Sequence, residues 1–183
     1  MRHAAKIDYP IDMTPLMSAS ITHMRDYGKL QRYGKKLPGD YEQQAKDGWV
    51  AKNNDVSNSE QFIEQLPADL LAVERPYVII LELPASSANN PVLPAHRDYN
   101  KTCGINVYID AHGEVTKFYH WNPETKSCEF VEEFCAEPGD IWIMDTDVPH
   151  SVTLTPNKAR TMLSFCFTKL KYDEVLKFFP TKQ

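Results

Sequence analysis

Glu137-Pro-Gly-Asp-Ile-Trp-Ile-Met-Asp145 is a tight turn followed by a short apolar strand, and the chain then reaches His150 within Pro149-His-Ser-Val152. Pro-Gly punctuates the backbone, and the β-branched and aromatic residues after it suit a pleated, half-buried surface. Strand-like stretches bounded by turn residues lie on both sides. Upstream, Tyr77-Val-Ile-Ile-Leu-Glu-Leu83 is short enough to be a buried strand, and further strands are expected at 105–110, 115–121 and 129–134. Downstream they are expected at 151–155 and 160–168. Asp110-Ala-His-Gly113, Asn122-Pro-Glu-Thr125 and Thr155-Pro-Asn157 supply turns between them. Many short strands separated by polar turns specify a sandwich or barrel, so the expected fold is mainly β, a jelly roll.

Ahead of this β-rich part, residues 1–75 lean towards helix. Thr14-Pro15 offers an N-cap with proline at the first helical position, and Leu16, Ala19, Ile21 and Met24 form a helical stripe. Residues 59–71 form a second helical segment, which Pro67 divides. A short helix is expected near the C-terminus. No repeat, low-complexity tract or Gly/Ser linker divides the sequence, so 1–183 is expected to be one domain with its β core at 76–170.

At 183 residues, with 42% hydrophobic and 11% aromatic residues, the chain is long and apolar enough to bury a core without staples. Its net charge of −5 argues against nucleic acid or an anionic membrane as the main partner. The local run of Lys29, Arg32, Lys35 and Lys36 reads as a solvated face. Cys103, Cys128, Cys135 and Cys166 contain no CxxC pair and read as reduced thiols, mostly buried as small apolar residues. The first thirty residues are polar and interrupted by Pro10 and Pro15, unlike a signal-peptide core. No apolar run approaches the roughly 20 residues that span a bilayer. The expectation is a cytoplasmic protein with no membrane partner.

Chemistry concentrates in three side chains. His96 and Asp98 stand at i and i+2 in Leu93-Pro-Ala-His-Arg-Asp98, which on an extended chain sends both from one face. His150 follows His96 by 54 positions (150 − 96) and must come from a strand that returns beside the first. Two histidines and a carboxylate hold one face of an octahedral Fe(II) and leave the other positions open. Arg160 follows His150 by ten residues and is the residue type best fitted to grip a carboxylate in a bidentate fork.

His96-Arg-Asp98, the distal His150 and the following Arg160 resemble the HxD…H…R pattern of the Fe(II)/2-oxoglutarate-dependent oxygenases. The resemblance extends over about residues 77–169, with aspartyl/asparaginyl and prolyl hydroxylase-like members nearest. It implies a double-stranded β-helix, or cupin-like barrel, with His96, Asp98 and His150 as iron ligands and catalytic centre. It also implies that Arg160 binds the far carboxylate of 2-oxoglutarate, with O2 as the second co-substrate and succinate and CO2 released on hydroxylation. Related halogenases leave the carboxylate position to a halide, so Asp98 points to hydroxylation. Ser164 shares a strand face with Arg160 and is a candidate assistant to it. Asn106, Tyr108, Lys117 and Tyr119 fall on strands expected to line the pocket, with Tyr108 and Tyr119 the further candidates for co-substrate contact.

Other readings share parts of this pattern. A cupin-like protein holding a metal or small ligand without turnover uses a similar barrel, but it does not call for an arginine ten residues after the last ligand. A zinc hydrolase accepts the same three ligands and needs a separate general base, which no acidic motif supplies. His-Arg-Asp also occurs in kinase catalytic loops. There an asparagine stands five residues after the aspartate, where this chain has Cys103. The expected substrate is a small molecule or a peptide side chain, and residues 86–91 together with the first third are expected to shape its entrance.

Overall fold

The computed structural model describes residues 2–26, 52–83, 92–98 and 101–180. The basic run at Lys29–Lys36 and the segment at 86–91 lie outside these. Eleven strands occur among the described residues: β1 (Ala4–Lys6), β2 (Ile21–Asp26), β3 (Lys52–Val56), β4 (Tyr77–Leu83), β5 (Val92–His96), β6 (Cys103–Asp110), β7 (Val115–Asn122), β8 (Ser127–Cys135), β9 (Ile141–Asp145), β10 (His150–Thr153) and β11 (Arg160–Phe167). Three short helices accompany them: α1 (Ser59–Ile63), α2 (Ala68–Val73) and α3 (Tyr172–Leu176).

The strands form two antiparallel sheets, one ordered β1-β9-β6-β11-β4-β3-β2 and the other β5-β10-β7-β8. Within the eight consecutive strands β4 to β11, only β7 and β8 are both adjacent in sequence and paired. The rest find their partners by crossing between sheets, which is the double Greek-key topology of a jelly roll. The fold is therefore mainly β, as the turn spacing predicts.

Side-chain alternation divides the larger sheet into two faces. Val78 and Ile80 of β4, Ile105 and Val107 of β6, and Leu163, Phe165 and Phe167 of β11 join one core. That core is completed by Phe62, Ile63, Leu66 and Leu70 from the α1–α2 region and by Tyr172, Val175 and Phe179 at the C-terminus. The intervening residues, including Tyr108, Met144 and Met162, pack with Phe118 and Phe134 of the smaller sheet, so this second face is the barrel interior. Paired positions Met162↔Tyr108 and Ser164↔Asn106 put Arg160, Met162, Ser164, Asn106 and Tyr108 on that interior face.

Two proline turns set the strands that matter for the site. In Glu137-Pro-Gly-Asp140, Gly139 has φ of 87° and the Asp140 N–H donates to Glu137 O at 3.0 Å, the pattern of a type II turn. Gly139 N and Asp140 O then bond Tyr108 O and N, at 2.7 and 2.9 Å. Pro156-Asn157 turns similarly before Arg160, with Asn157 at φ of 59° and Lys158 N donating to Thr155 O.

One expectation for the first third needs correction. Thr14–Ser18 is a single 3-10 turn, and Ile21 and Met24 lie on β2 instead of continuing a helix. β2 pairs with β3, which pairs with β4, so tertiary hydrogen bonding overrides a weak helical pattern. The division at Pro67 holds: it stands at the N-cap of α2, after α1.

Glu74, just after α2, ties the helices to the end of β11. Its carboxylate accepts from Thr168 N and Oγ1 at 2.8 and 2.9 Å and from Leu170 N at 2.8 Å. Burial opposes the charge, yet these donors hold the Glu74 pKa below its ordinary value. Glu74→Ala should lower unfolding free energy by roughly 1–2 kcal/mol, discounted for exposure. Urea unfolding at pH 7 measures this, and the difference from wild type should shrink as pH falls below the ordinary carboxylate range.

Candidate metal centre

The structure brings His96, Asp98 and His150 together, with one ligand atom from each lying within 4.8 Å of the others. β5 and β10 pair antiparallel with His96 directly opposite His150, and their rings stand 4.4 Å apart at 53°. Asp98 corrects the expectation that both motif ligands ride one strand. β5 ends at His96, and Asp98 lies past it, where its N–H donates to Thr146 O at 3.0 Å. Its Oδ1 is 3.8 Å from His96 Nε2.

The donor set fits a divalent ion. His150 Nδ1 meets Val148 O at 3.0 Å, which fixes the ring and leaves Nε2 as the ligand atom. Burial, aided by neighbouring His96, lowers the His150 pKa to about 4, so the imidazole is neutral at physiological pH, as coordination requires. For Asp98, burial would raise the pKa, but Lys101, His150 and His96 outweigh it and bring the value down to about 2. Two imidazole nitrogens, that of His150 neutral, and one ionised carboxylate are thus presented at one point.

The depressed His150 pKa has a consequence for the metal-free protein. Unfolded, the ring takes a proton near 6.5, whereas folded it resists until about 4. Stability should therefore be fully present above the unfolded value and fall as pH drops between the two, by on the order of 2–3 kcal/mol. Denaturant titrations in chelator from pH 7.5 to 4 test this, and His150→Gln should flatten the slope in that window.

Arg160 opens β11 and is buried, at 4% exposure. Its Nη1 lies 3.5 Å from Thr116 Oγ1, its guanidinium carbon stands 5.6 Å from the Tyr108 ring centroid, and its Nε has no hydrogen-bond partner. It makes no ion pair among the described residues; the buried carboxylate of Glu114 acts on the same Tyr108, and its Oε1 has no hydrogen-bond partner. Thr116 is two residues from Phe118 on β7, and Phe118 pairs with His150. Thr116, which Arg160 contacts, therefore shares a strand face with the residue paired to His150, about 7 Å away along β7.

The remaining candidates separate. Tyr108 is 1% exposed beneath Arg160, and burial raises its pKa while Arg160 pulls the other way. Ser164 shares the interior face, but it is four residues from Arg160, about 13 Å along the strand, and its hydroxyl donates to Asn106 Oδ1 at 2.7 Å. Tyr119 goes elsewhere. His150, Phe118 and Thr116 face inward, whereas Ser151 and its partner Lys117 face outward. Tyr119 joins that outer face, with its hydroxyl 2.8 Å from Ser151 Oγ and its ring against exposed Phe130. Lys117 there pairs with Glu133 at 3.3 Å.

Lys101 was not among the residues the sequence singles out. It is buried, and its Nζ lies 3.1 Å from Asp98 Oδ2. The available signal was a cation three positions after a motif carboxylate.

No family model matches the sequence, and no curated protein matches it. Solved structures with a similar fold include an oxidoreductase of the 2OG-Fe(II) oxygenase family from Burkholderia pseudomallei. It is 10% identical, over 69% of this chain and 69% of that one, with a TM-score of 0.42. A vicilin from hazelnut, Corylus avellana, is 12% identical over 66% of this chain and 30% of its own, with a TM-score of 0.40. An oxalate decarboxylase from Bacillus subtilis, described with Mn(II) centres, is 11% identical over 67% and 26%, with a TM-score of 0.38. The chain spans less than a third of the length of the vicilin and the decarboxylase. At these identities and TM-scores the likeness says nothing of this chain's role. No helix among the described residues is long and apolar enough to cross a membrane.

Proposed function

We propose that this protein is an Fe(II)- and 2-oxoglutarate-dependent dioxygenase that hydroxylates a small molecule or a peptide side chain. One observation carries the reading: a three-ligand metal site shares a barrel interior with a buried arginine that makes no ion pair among the described residues and whose Nε has no hydrogen-bond partner. A buried guanidinium without an anionic partner is costly, and an anionic ligand placed there removes the cost.

His96, Asp98 and His150 would hold the ion, and Fe(II) when bound supplies the redox chemistry that couples 2-oxo acid decarboxylation to C–H hydroxylation. Val148 O orients His150, and Asp98 remains ionised. Arg160 grips the far carboxylate of 2-oxoglutarate, with Tyr108 packed beneath the guanidinium. Met144, Met162 and Phe118 give the barrel interior an apolar lining. We assign the co-substrate grip to Arg160, and not to Tyr119 on the outer sheet face or to Ser164, whose hydroxyl bonds Asn106.

Succinate release from 2-oxoglutarate with Fe(II), ascorbate and O2, screened over free amino acids and peptides, tests the proposal. Stimulation by one of these supports it. Metal binding without any turnover favours a cupin-like metal- or ligand-binding protein instead. Salt-sensitive binding to an oligonucleotide that accelerates succinate formation would overturn the substrate class, which rests on the net charge of −5.

A further inference from the structure

We propose that Lys101 is a positioning residue that confines Asp98 to one metal-binding oxygen and thereby keeps a third coordination position open. This rests on the metal reading above. The two Asp98 oxygens have different neighbours: Oδ1 lies 3.8 Å from His96 Nε2, on the ligand side, while Oδ2 lies 3.1 Å from Lys101 Nζ. Both side chains are nearly buried, at 10% and 8% exposure, so bulk water does not compete strongly for Oδ2.

The arrangement is built from the backbone outward. Thr146 clamps both ends of the pair: its carbonyl accepts from Asp98 N at 3.0 Å, and its hydroxyl donates to Lys101 O at 3.1 Å. Its own N–H donates to Thr102 O at 3.2 Å. Thr102 is in turn fixed to the end of β11 through Phe167 O at 2.8 Å and to Leu170 O at 2.6 Å. The lysine is therefore carried to Asp98 by the same strand ends that close this end of the barrel.

Coordination arithmetic gives the pair its purpose. Three protein atoms fill three positions of an octahedron, a chelating 2-oxo acid fills two, and one remains for O2. A carboxylate that turns to bind through both oxygens takes a fourth position and leaves the set one short. The ammonium on Oδ2 prevents this turn, and a charge-assisted hydrogen bond is strong enough to hold it.

The test counts open positions with an uncharged probe, so that loss of the lysine charge does not itself explain the result. Wild type, K101M, K101A and K101Q are loaded anaerobically with Fe(II) and oxalate, and nitric oxide is titrated while the iron–nitrosyl electron paramagnetic resonance signal is followed. Wild type should bind oxalate and nitric oxide together. K101M and K101A should keep iron and oxalate but bind nitric oxide about ten-fold more weakly or worse, and K101Q, which retains a donor, should recover it. A wild-type nitrosyl response in K101M or K101A overturns the proposal. So does loss of iron or of folding in all three variants, which would make Lys101 a structural residue. Failure of the wild-type protein to bind iron would instead overturn the metal reading itself.

Discussion

Asp98→Ala should abolish hydroxylation and weaken Fe(II) binding by more than a hundred-fold. Partners that merely orient a ligand are worth about 10–100-fold in metal affinity, so removing the only anionic ligand costs more than that. The two histidines remain, paired across β5 and β10 with rings 4.4 Å apart, and will retain weak affinity for a divalent ion. The double variant His96→Ala, His150→Ala should lose even this. Mn(II) or Co(II) titration of metal-free protein separates the two outcomes from loss of folding, which circular dichroism monitors. Full metal occupancy in the double variant would place the ion elsewhere and remove the basis of the proposed function.

The strands of the barrel were legible because their physics is local. Tyr77–Leu83 and Ile141–Asp145 are apolar runs bounded by turn residues, and both fold with the ends their composition marks. β3 was not legible. Lys52-Asn-Asn-Asp-Val56 has little strand propensity, and it extends because β4 and β2 pair with its two edges. The metal triad was readable as a spacing, but the spacing did not show that Asp98 lies past the paired end of β5. The Thr146 carbonyl places it, and that contact joins residues distant in sequence. Tyr119 illustrates a different limit. An aromatic residue on a strand fits either face, and only the register of β7 against β10 shows that Phe118 shares the His150 face and Tyr119 does not.

Arg160→Met should weaken 2-oxoglutarate binding by about ten- to a hundred-fold, the equivalent of roughly 1.5–3 kcal/mol for a charge-assisted contact. Metal affinity should hardly change, because the guanidinium is not a ligand. The decisive companion measurement is the stability of the ligand-free protein. A buried cation held for structural reasons is paired, and removing it costs about 3–5 kcal/mol. Arg160 has only a 3.5 Å contact to Thr116, the face of Tyr108, and an Nε without a partner. Substituting an apolar side chain of similar length should therefore leave the ligand-free protein equally stable, or more so. Arg160→Lys keeps a charge and loses the fork, so its 2-oxoglutarate affinity should fall between the two. Calorimetric titration of 2-oxoglutarate into the Mn(II)-loaded proteins, beside denaturant unfolding of the metal-free ones, reads both quantities. Unchanged affinity with a large loss of stability would mean that Arg160 serves the fold, and the anion that its burial calls for would have to be sought within the chain.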